Sequence, residues 1–322
     1  MKLTNLVRPA AVLLGCSIAL SAWALGDKPL KVIVPAPPGG SADIAARVIG
    51  QQISEDTGRP VIIENRPGAT GSIGLAAMLK AEPDGDTIAF GPSNMLVEAP
   101  QVMKVPYDPL KDISTIGRVA FTSYVLVTGA DYPAKDFQGL VTQLKTRKGK
   151  ASFASYGTGT VSQYSGLIFS SGADLGMQHV GYLGSPPALQ DVIGGRVDIM
   201  FDGMVTSLPL IRGGKLHAYA VAGKNRSRYL PDVPTMTELG YPDIQFQGQM
   251  CFYGASKLPA EVLQKLQAAI KKAASAPAVQ QRLLDAGLEP DVSVDSAALL
   301  AENKQLFQRN AAIVKKFDIQ PN

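Results

Sequence analysis

Lys31-Val32-Ile33-Val34-Pro35-Ala36-Pro37-Pro38-Gly39-Gly40-Ser41-Ala42-Asp43-Ile44 decides how the chain is read. A β-branched apolar run stops in a Pro/Gly loop and resumes as a helix, with Ser41 or Asp43 the expected N-cap. In a strand-loop-helix unit the unpaired N–H groups of the helix start face the carboxyl end of the strand. With the positive end of the helix dipole they suit an anion. Gly39 and Gly40, without a Cβ, let a ligand approach the backbone. Taken alone, this could be a plain strand-to-helix turn. Its recurrence further along changes the balance.

The same unit repeats. Val61–Asn65 reads as a second strand running into the glycine-rich stretch 66–74 and a helix to about Lys80, and Thr87–Phe90 as a third, ending at Gly91-Pro92-Ser93-Asn94. After an apolar stretch at 119–128, where a change of domain is expected, Ser152–Ser155 is a strand. Its loop, Tyr156-Gly157-Thr158-Gly159-Thr160, enters a helix. Gln178–Tyr182 is another strand, after which Gly184-Ser185-Pro186-Pro187-Ala188 opens a helix with Ser185 as its natural cap. Val197–Phe201 is a strand stopping at Asp202, and Leu216–Ala222 is the last clear one. Two or three helices close the chain, and the heptad positions Leu299, Leu306 and Ile313 are read as core rather than coiled coil. Short apolar strands alternating with helices give an α/β fold with parallel sheets.

The 322 residues suffice for two domains, and a composition of 46% hydrophobic and 18% charged residues is globular. Lys2 and Arg8 precede an apolar run from Ala10 to Leu20, and Ala22-Trp23-Ala24 fits a cleavage site, so residues 1–24 read as a secretory signal. Lipoprotein processing at Cys16 ranks second. Without residues 1–24 the net charge is (31 − 2) − 27 = +2, which is no basic patch for nucleic acid. Cys251 is the one cysteine left, excluding an internal disulfide, and no later run of about 18 apolar residues follows.

Pro38-Gly39-Gly40-Ser41-Ala42-Asp43 with Ala46-Arg47, Glu64-Asn65-Arg66-Pro67-Gly68-Ala69 with Gly71-Ser72-Ile73-Gly74, Pro83–Thr87, Tyr107-Asp108-Pro109, Ser155–Thr160, Gly194–Asp198 and Leu230–Thr235 stand in an order that resembles the tripartite tricarboxylate transporter receptors, often called Bug proteins. The resemblance spans the chain after the signal segment. It implies a two-lobed type II periplasmic binding protein, each lobe a mostly parallel sheet flanked by helices, with the ligand cleft between lobes. The expected division is 25–122 plus 226–322 for the first lobe and 123–225 for the second. It further implies a small carboxylate ligand held by two pincer loops, here Pro37–Asp43 and Tyr182–Ala188, with Ser155–Thr160 facing the same cleft. The implied partner is a membrane transporter with large and small subunits, and the expected state is a monomer. Family members commonly carry His-Val-Pro-Tyr-Lys-Gly where this chain has His179-Val180-Gly181-Tyr182-Leu183-Gly184, and Tyr156 stands in a loop that often reads Ser-Ser-Gly. Both changes suit an aromatic acid such as terephthalate better than citrate.

The ligand-binding candidates are therefore Pro37, Gly39, Gly40, Ser41, Asp43, Ser93, Asn94, Ser155, Tyr156, Gly157, Thr158, Thr160, Tyr182, Leu183, Gly184, Ser185 and Asp202. Each has a plainer role. Asp43 can complement the dipole of its own helix, and direct contact with an anion would be repulsive. The hydroxyls of Ser155, Thr158 and Thr160 can cap or donate. Asp202 can meet a ligand amino group or hold a hinge. The stretch 68–74 lacks the Gly-Lys-[Ser/Thr] of a P-loop, and Gly157-Thr158-Gly159 lacks the third glycine of a dinucleotide site. His179 and His217 read as core histidines. No metal spacing and no nucleophile–base pair stand out, so neither cofactor nor catalysis is expected. Two further readings are a receptor that signals occupancy to a membrane kinase and, more remotely, an enzyme on the same two-lobed fold.

Overall fold

Strands that feed a crossover helix pair in parallel, because only a helix-length connection returns the chain to the same edge of a sheet. The computed structural model describes residues 28–320. The signal segment and Cys16 lie outside them. β1 (Leu30–Val34), α1 (Ser41–Thr57), β2 (Val61–Asn65), α2 (Ser72–Leu79) and β3 (Thr87–Pro92) form the first unit, with β1 parallel to both neighbours. Two short helices, α3 (Asn94–Val97) and α4 (Ala99–Val102), lead to β4 (Ile113–Gly129), a strand of 17 residues. After α5 (Phe137–Thr146) come β5 (Ser152–Ser155), α6 (Val161–Gly172), β6 (Gln178–Gly181), α7 (Ser185–Ile193), β7 (Ile199–Gly203), α8 (Met204–Arg212) and β8 (Leu216–Val221). β5 is parallel to β6 and β7. The chain returns through β9 (Gln247–Ala255) and ends with α9 (Ala260–Ala274), α10 (Pro277–Asp285), β10 (Glu289–Ser293) and α11 (Ser296–Lys316).

The strands join in the order β2-β1-β3-β9-β4-β7-β5-β6, with β8 and β10 also on β4. The strands that link the halves are antiparallel to their neighbours: β9 to β3 and β4, and β4 to β7, β8 and β10. The sheet is therefore mixed, more so than the sequence implied, because connections between halves are direct returns rather than helical crossovers. These directions fix the site. β1 and β3 run with β4 toward the second half, whereas β5, β6 and β7 run against it toward the first. β3 ends level with Ala120 of β4 through Met250, and β7 ends level with Tyr124. The carboxyl ends of the two sets of parallel strands thus confront each other across a gap that β4 spans with Phe121–Ser123, the place where open α/β sheets bind ligands.

Each half has its own core. Val32, Val34, Ile49, Phe90, Phe252 and Ile270 are buried in the first, and Phe153, Tyr164, Phe169, Phe201 and Tyr219 in the second. α11 crosses between them. Leu299 and Ile313 are buried as the heptad reading expects; Asn303 bonds Thr115 of β4, and Ile313, Val314 and Phe317 pack on the second core. Met236, Ile244 and Phe246, ahead of β9, join that core too. Among the described residues no helix is long and apolar enough to cross a membrane.

Candidate ligand-binding cleft

The loop after β1 is held by one carboxylate. Asp43 Oδ2 accepts from the N–H of Gly39 (2.9 Å) and from Arg47, and Oδ1 accepts from Asn65 Nδ2 (2.9 Å) and Arg47. Asn65 also donates to the Ala36 carbonyl. Burial works to raise the Asp43 pKa, but the hydrogen bonds from Arg47, Gly39 and Asn65 outweigh it and hold the carboxyl below its ordinary value. Asp43 thus shapes the loop. The N-cap is Gly40, in extended backbone, rather than Ser41 or Asp43, because the Asp43 carboxylate reaches back past the cap to Gly39. Pro37, Gly39, Gly40 and Ser41 lie on the open side, and the N–H groups of Ser41 and Ala42 precede the first intrahelical bond, Ile44 to Gly40. The glycine-rich stretch 68–74 is a packing device. A Cβ on Gly74 would fall 2.8 Å from Pro35, and one on Gly71 would strike Met95. Those contacts explain the glycines without a phosphate.

On the other side, the loops after β5 and β6 zip together, Tyr182 N–H to Ser155 carbonyl and Gly184 N–H to Tyr156 carbonyl. Ser155 is fully buried in a relay. Gly159 N–H donates to Gln163 Oε1 (2.7 Å), Gln163 Nε2 to His179 Nδ1 (3.2 Å), and His179 Nε2 to Ser155 Oγ (2.7 Å), which donates to the Gly157 carbonyl. Thr160 Oγ1 donates to the same carbonyl (2.7 Å). Of the three hydroxyls expected to meet a ligand, Ser155 and Thr160 are spent on the loop, and half-buried Thr158 has no side-chain hydrogen bond among the described residues. His179, read from sequence as a core residue, positions the loop.

Burial holds the His179 imidazole below its ordinary 6.5. Between that lowered value and 6.5 the unfolded chain binds a proton that the folded chain refuses, so stability is full above 6.5 and falls as pH drops below it. Melting curves from about pH 7.5 to about pH 5 should therefore slope more steeply for the native protein than for His179→Gln. Equal slopes would remove His179 from the account.

The N-cap of α7 is Gly184, not the expected Ser185, whose Oγ is drawn instead to Asp202 Oδ1 (2.5 Å). Asp202 is wholly buried and also accepts from Thr206 (2.6 Å) and Ser207 (2.7 Å). Burial pushes its carboxyl up, against those hydroxyls. It fastens the loop to α8, and a ligand amino group would find its oxygens taken. Pro186 and Pro187 follow Ser185 without N–H groups, so this first turn is poorer in donors than that of α1. Tyr182 turns along α7 to bond Asp191 (2.6 Å), while Leu183 is fully exposed at the tip. Tyr156 is half-buried, its hydroxyl toward Tyr124 of β4.

The cavity at the lobe junction, about 480 Å³, is lined in part by Ser93, Glu98, Phe121, Val161, Gln247 and Gln249. Ser93 exchanges hydrogen bonds with Gln249 of β9, and Asn94 Oδ1 is buried without a partner. Glu98, which nothing in its sequence context marks, crosses the junction, its Oε2 accepting from the Val161 N–H at the start of α6 (3.0 Å). None of the loops at 35–43, 92–94, 155–160, 182–188 or 202–204 carries Lys or Arg. An anion here would be held by N–H groups and hydroxyls. Among the described residues no cluster of His, Cys, Asp and Glu could hold a metal. Burial pushes the Cys251 thiol up to about 12, far from a thiolate nucleophile.

The sequence model described as tripartite tricarboxylate transporter family receptor matches residues 45–319. The chain belongs to that receptor family. Its members are binding proteins rather than enzymes. The receptor is 33% identical over 293 residues, 90% of its own length and 84% of the other, to a protein of the TAR-I ttuE-ttuC' intergenic region of Agrobacterium vitis. Among solved structures it resembles a periplasmic transporter (35% identity, TM-score 0.81, covering 91% of this chain and 98% of that one). It also resembles MatC of Rhodopseudomonas palustris with bound malate (28% identity, TM-score 0.77, covering 89% and 99%). The two-lobed α/β fold that the resemblance implied agrees with these neighbours.

Proposed function

We propose that the receptor binds a small organic carboxylate in the cleft between its lobes, 25–122 with 226–322 and 123–225, and delivers it to a tripartite tricarboxylate-type transporter. It acts in the periplasm, as a monomer, once the leader at 1–24 has been removed. The observation that carries this reading is the first turn of α1, where N–H groups without backbone acceptors face the opposite lobe from a loop that Asp43 and Asn65 hold rigid. A relative whose structure carries malate supports the ligand class. Within that class the second lobe offers an exposed Leu183, two prolines and the face of Tyr156, which favour an aromatic or apolar body over a third carboxylate. Terephthalate is the test case. Closure would swing the lobes about the β4–β9 ribbon.

A thermal-shift panel of citrate, malate, succinate, adipate, benzoate, phthalate and terephthalate tests this directly. A ligand at a hundredfold excess over its Kd stabilises the fold by about 2.7 kcal/mol. An aromatic acid should give the largest shift. Tight citrate binding with no response to aromatic acids would end the aromatic reading, and silence from every carboxylate on protein stripped by unfolding and refolding would end the carboxylate reading.

A further inference from the structure

Glu98 is the buried acid that the carboxylate site does not use. It is 5% exposed and lines the junction cavity. Its one side-chain hydrogen bond among the described residues is to Oε2, leaving Oε1 to the cavity. Among the described residues no cation pairs with it. The acidic Glu302 of the same wall is matched by Arg118 and Gln249. Arg309 is spent on the carbonyls of Gln245 and Asp243 and on the Phe246 ring. Lys224 is an exposed, solvated residue at the rim. One helical turn before Glu98, on the same face of α3, stands Asn94 with its buried, unpartnered Oδ1. Glu98 therefore stands at the wall of the cavity with one carboxyl oxygen unengaged among the described residues, while Asn94 Oδ1, one turn earlier, is sealed from solvent. The remaining titratable groups near Glu98 are phenols, Tyr124 from β4, Tyr156 from the loop after β5 and Tyr164 from α6. A buried carboxylate with no cation is costly unless it is neutralised or paired, and a buried acceptor costs until a donor reaches it.

We propose that Glu98 is the selectivity element of the cleft and takes the ammonium group of an amino-substituted carboxylate whose acid end is held at α1. The proposal rests on the carboxylate reading and narrows it. In the empty protein, burial pushes the Glu98 carboxyl up to about 8, the hydrogen bond from Val161 opposing it, so the group is mostly neutral at pH 7. An arriving ammonium makes the ionised form the stable one. Glu98 then gives its proton to solvent and keeps the ion pair, so binding at pH 7 releases close to one proton per ligand.

Matched triplets test this: 4-methylbenzoate, terephthalate and 4-(aminomethyl)benzoate, and likewise hexanoate, adipate and 6-aminohexanoate. Each is titrated calorimetrically in two buffers of different ionisation enthalpy. The ammonium member should bind on the order of tenfold tighter than the methyl member and release a proton. In Glu98→Gln, which keeps an oxygen for the Val161 N–H, both the preference and the release should vanish while the methyl member binds as before. That retained binding, with an unchanged melting temperature, shows that the variant is folded. Equal affinity for the ammonium and methyl members would overturn the proposal, as would a preference that survives in the variant. Tightest binding of the dicarboxylate with no proton release would overturn it in favour of Glu98 as a donor to a second acid. If no member of either triplet binds, the carboxylate reading fails and takes this one with it.

Discussion

Asp202→Ala should cost about 3 kcal/mol of stability and loosen the loop that presents Ser185 to the cleft. The carboxylate is the common acceptor for Ser185, Thr206 and Ser207, so its removal strands three hydroxyls and opens a void beneath the start of α8. Asp202→Asn keeps the shape and one acceptor oxygen, so it should lie between. Denaturant unfolding of the three proteins, with affinity for the strongest carboxylate measured alongside, separates the two consequences. A loss under about 0.5 kcal/mol for the alanine variant, within the range of an ordinary surface change, would mean that the hydroxyls find other acceptors.

Gly159→Ala is expected to act across the junction. Gly159 has a φ of +68°, and a Cβ there would enter the van der Waals shell of Val102, the last residue of α4. Backbone strain and overpacking together should cost about 2 kcal/mol, and the loop should lift away from α4. Val161, two residues on, would then lose Glu98. Ligand affinity should drop with stability. Adding Val102→Ala removes the steric part and leaves the φ part, so the double variant should recover some but not all of the loss. Strict additivity of the two changes would show that the contact does not matter.

The parallel strands β1, β2, β3, β5, β6 and β7 are legible because each is short and runs into a loop marked by Gly, Pro, Ser or Asn before a helix, and the two sets, meeting at their carboxyl ends, give the cleft. β9 is not. Gln247-Gly248-Gln249-Met250 carries polar residues and a glycine into a strand that is buried because β3 and β4 flank it. β10, Glu289-Pro290-Asp291-Val292-Ser293, has the composition of a turn and is a strand only at the edge of β4. The helix caps misled for a related reason. Ser41 and Ser185 have the right chemistry, but Asp43 and Asp202, which decide where the chain turns, find their partners through tertiary contacts. Asn65 sits within a recognisable motif, yet its work, clamping Ala36 and Asp43, depends on β2 lying beside β1. Glu98 gives no local signal at all, since its partner is 63 residues away.

β4 has a consequence for how the molecule lives and dies. Its first residues belong to one half of the sheet and its last to the other, with β9 beside it through the crossing. A protease that cut near Phe121 would not free two sound pieces. Each fragment would keep a torn sheet margin of unpaired N–H and C=O groups, ready to join the margin of another broken copy. The halves are therefore bound to one fate. They should melt in a single cooperative transition.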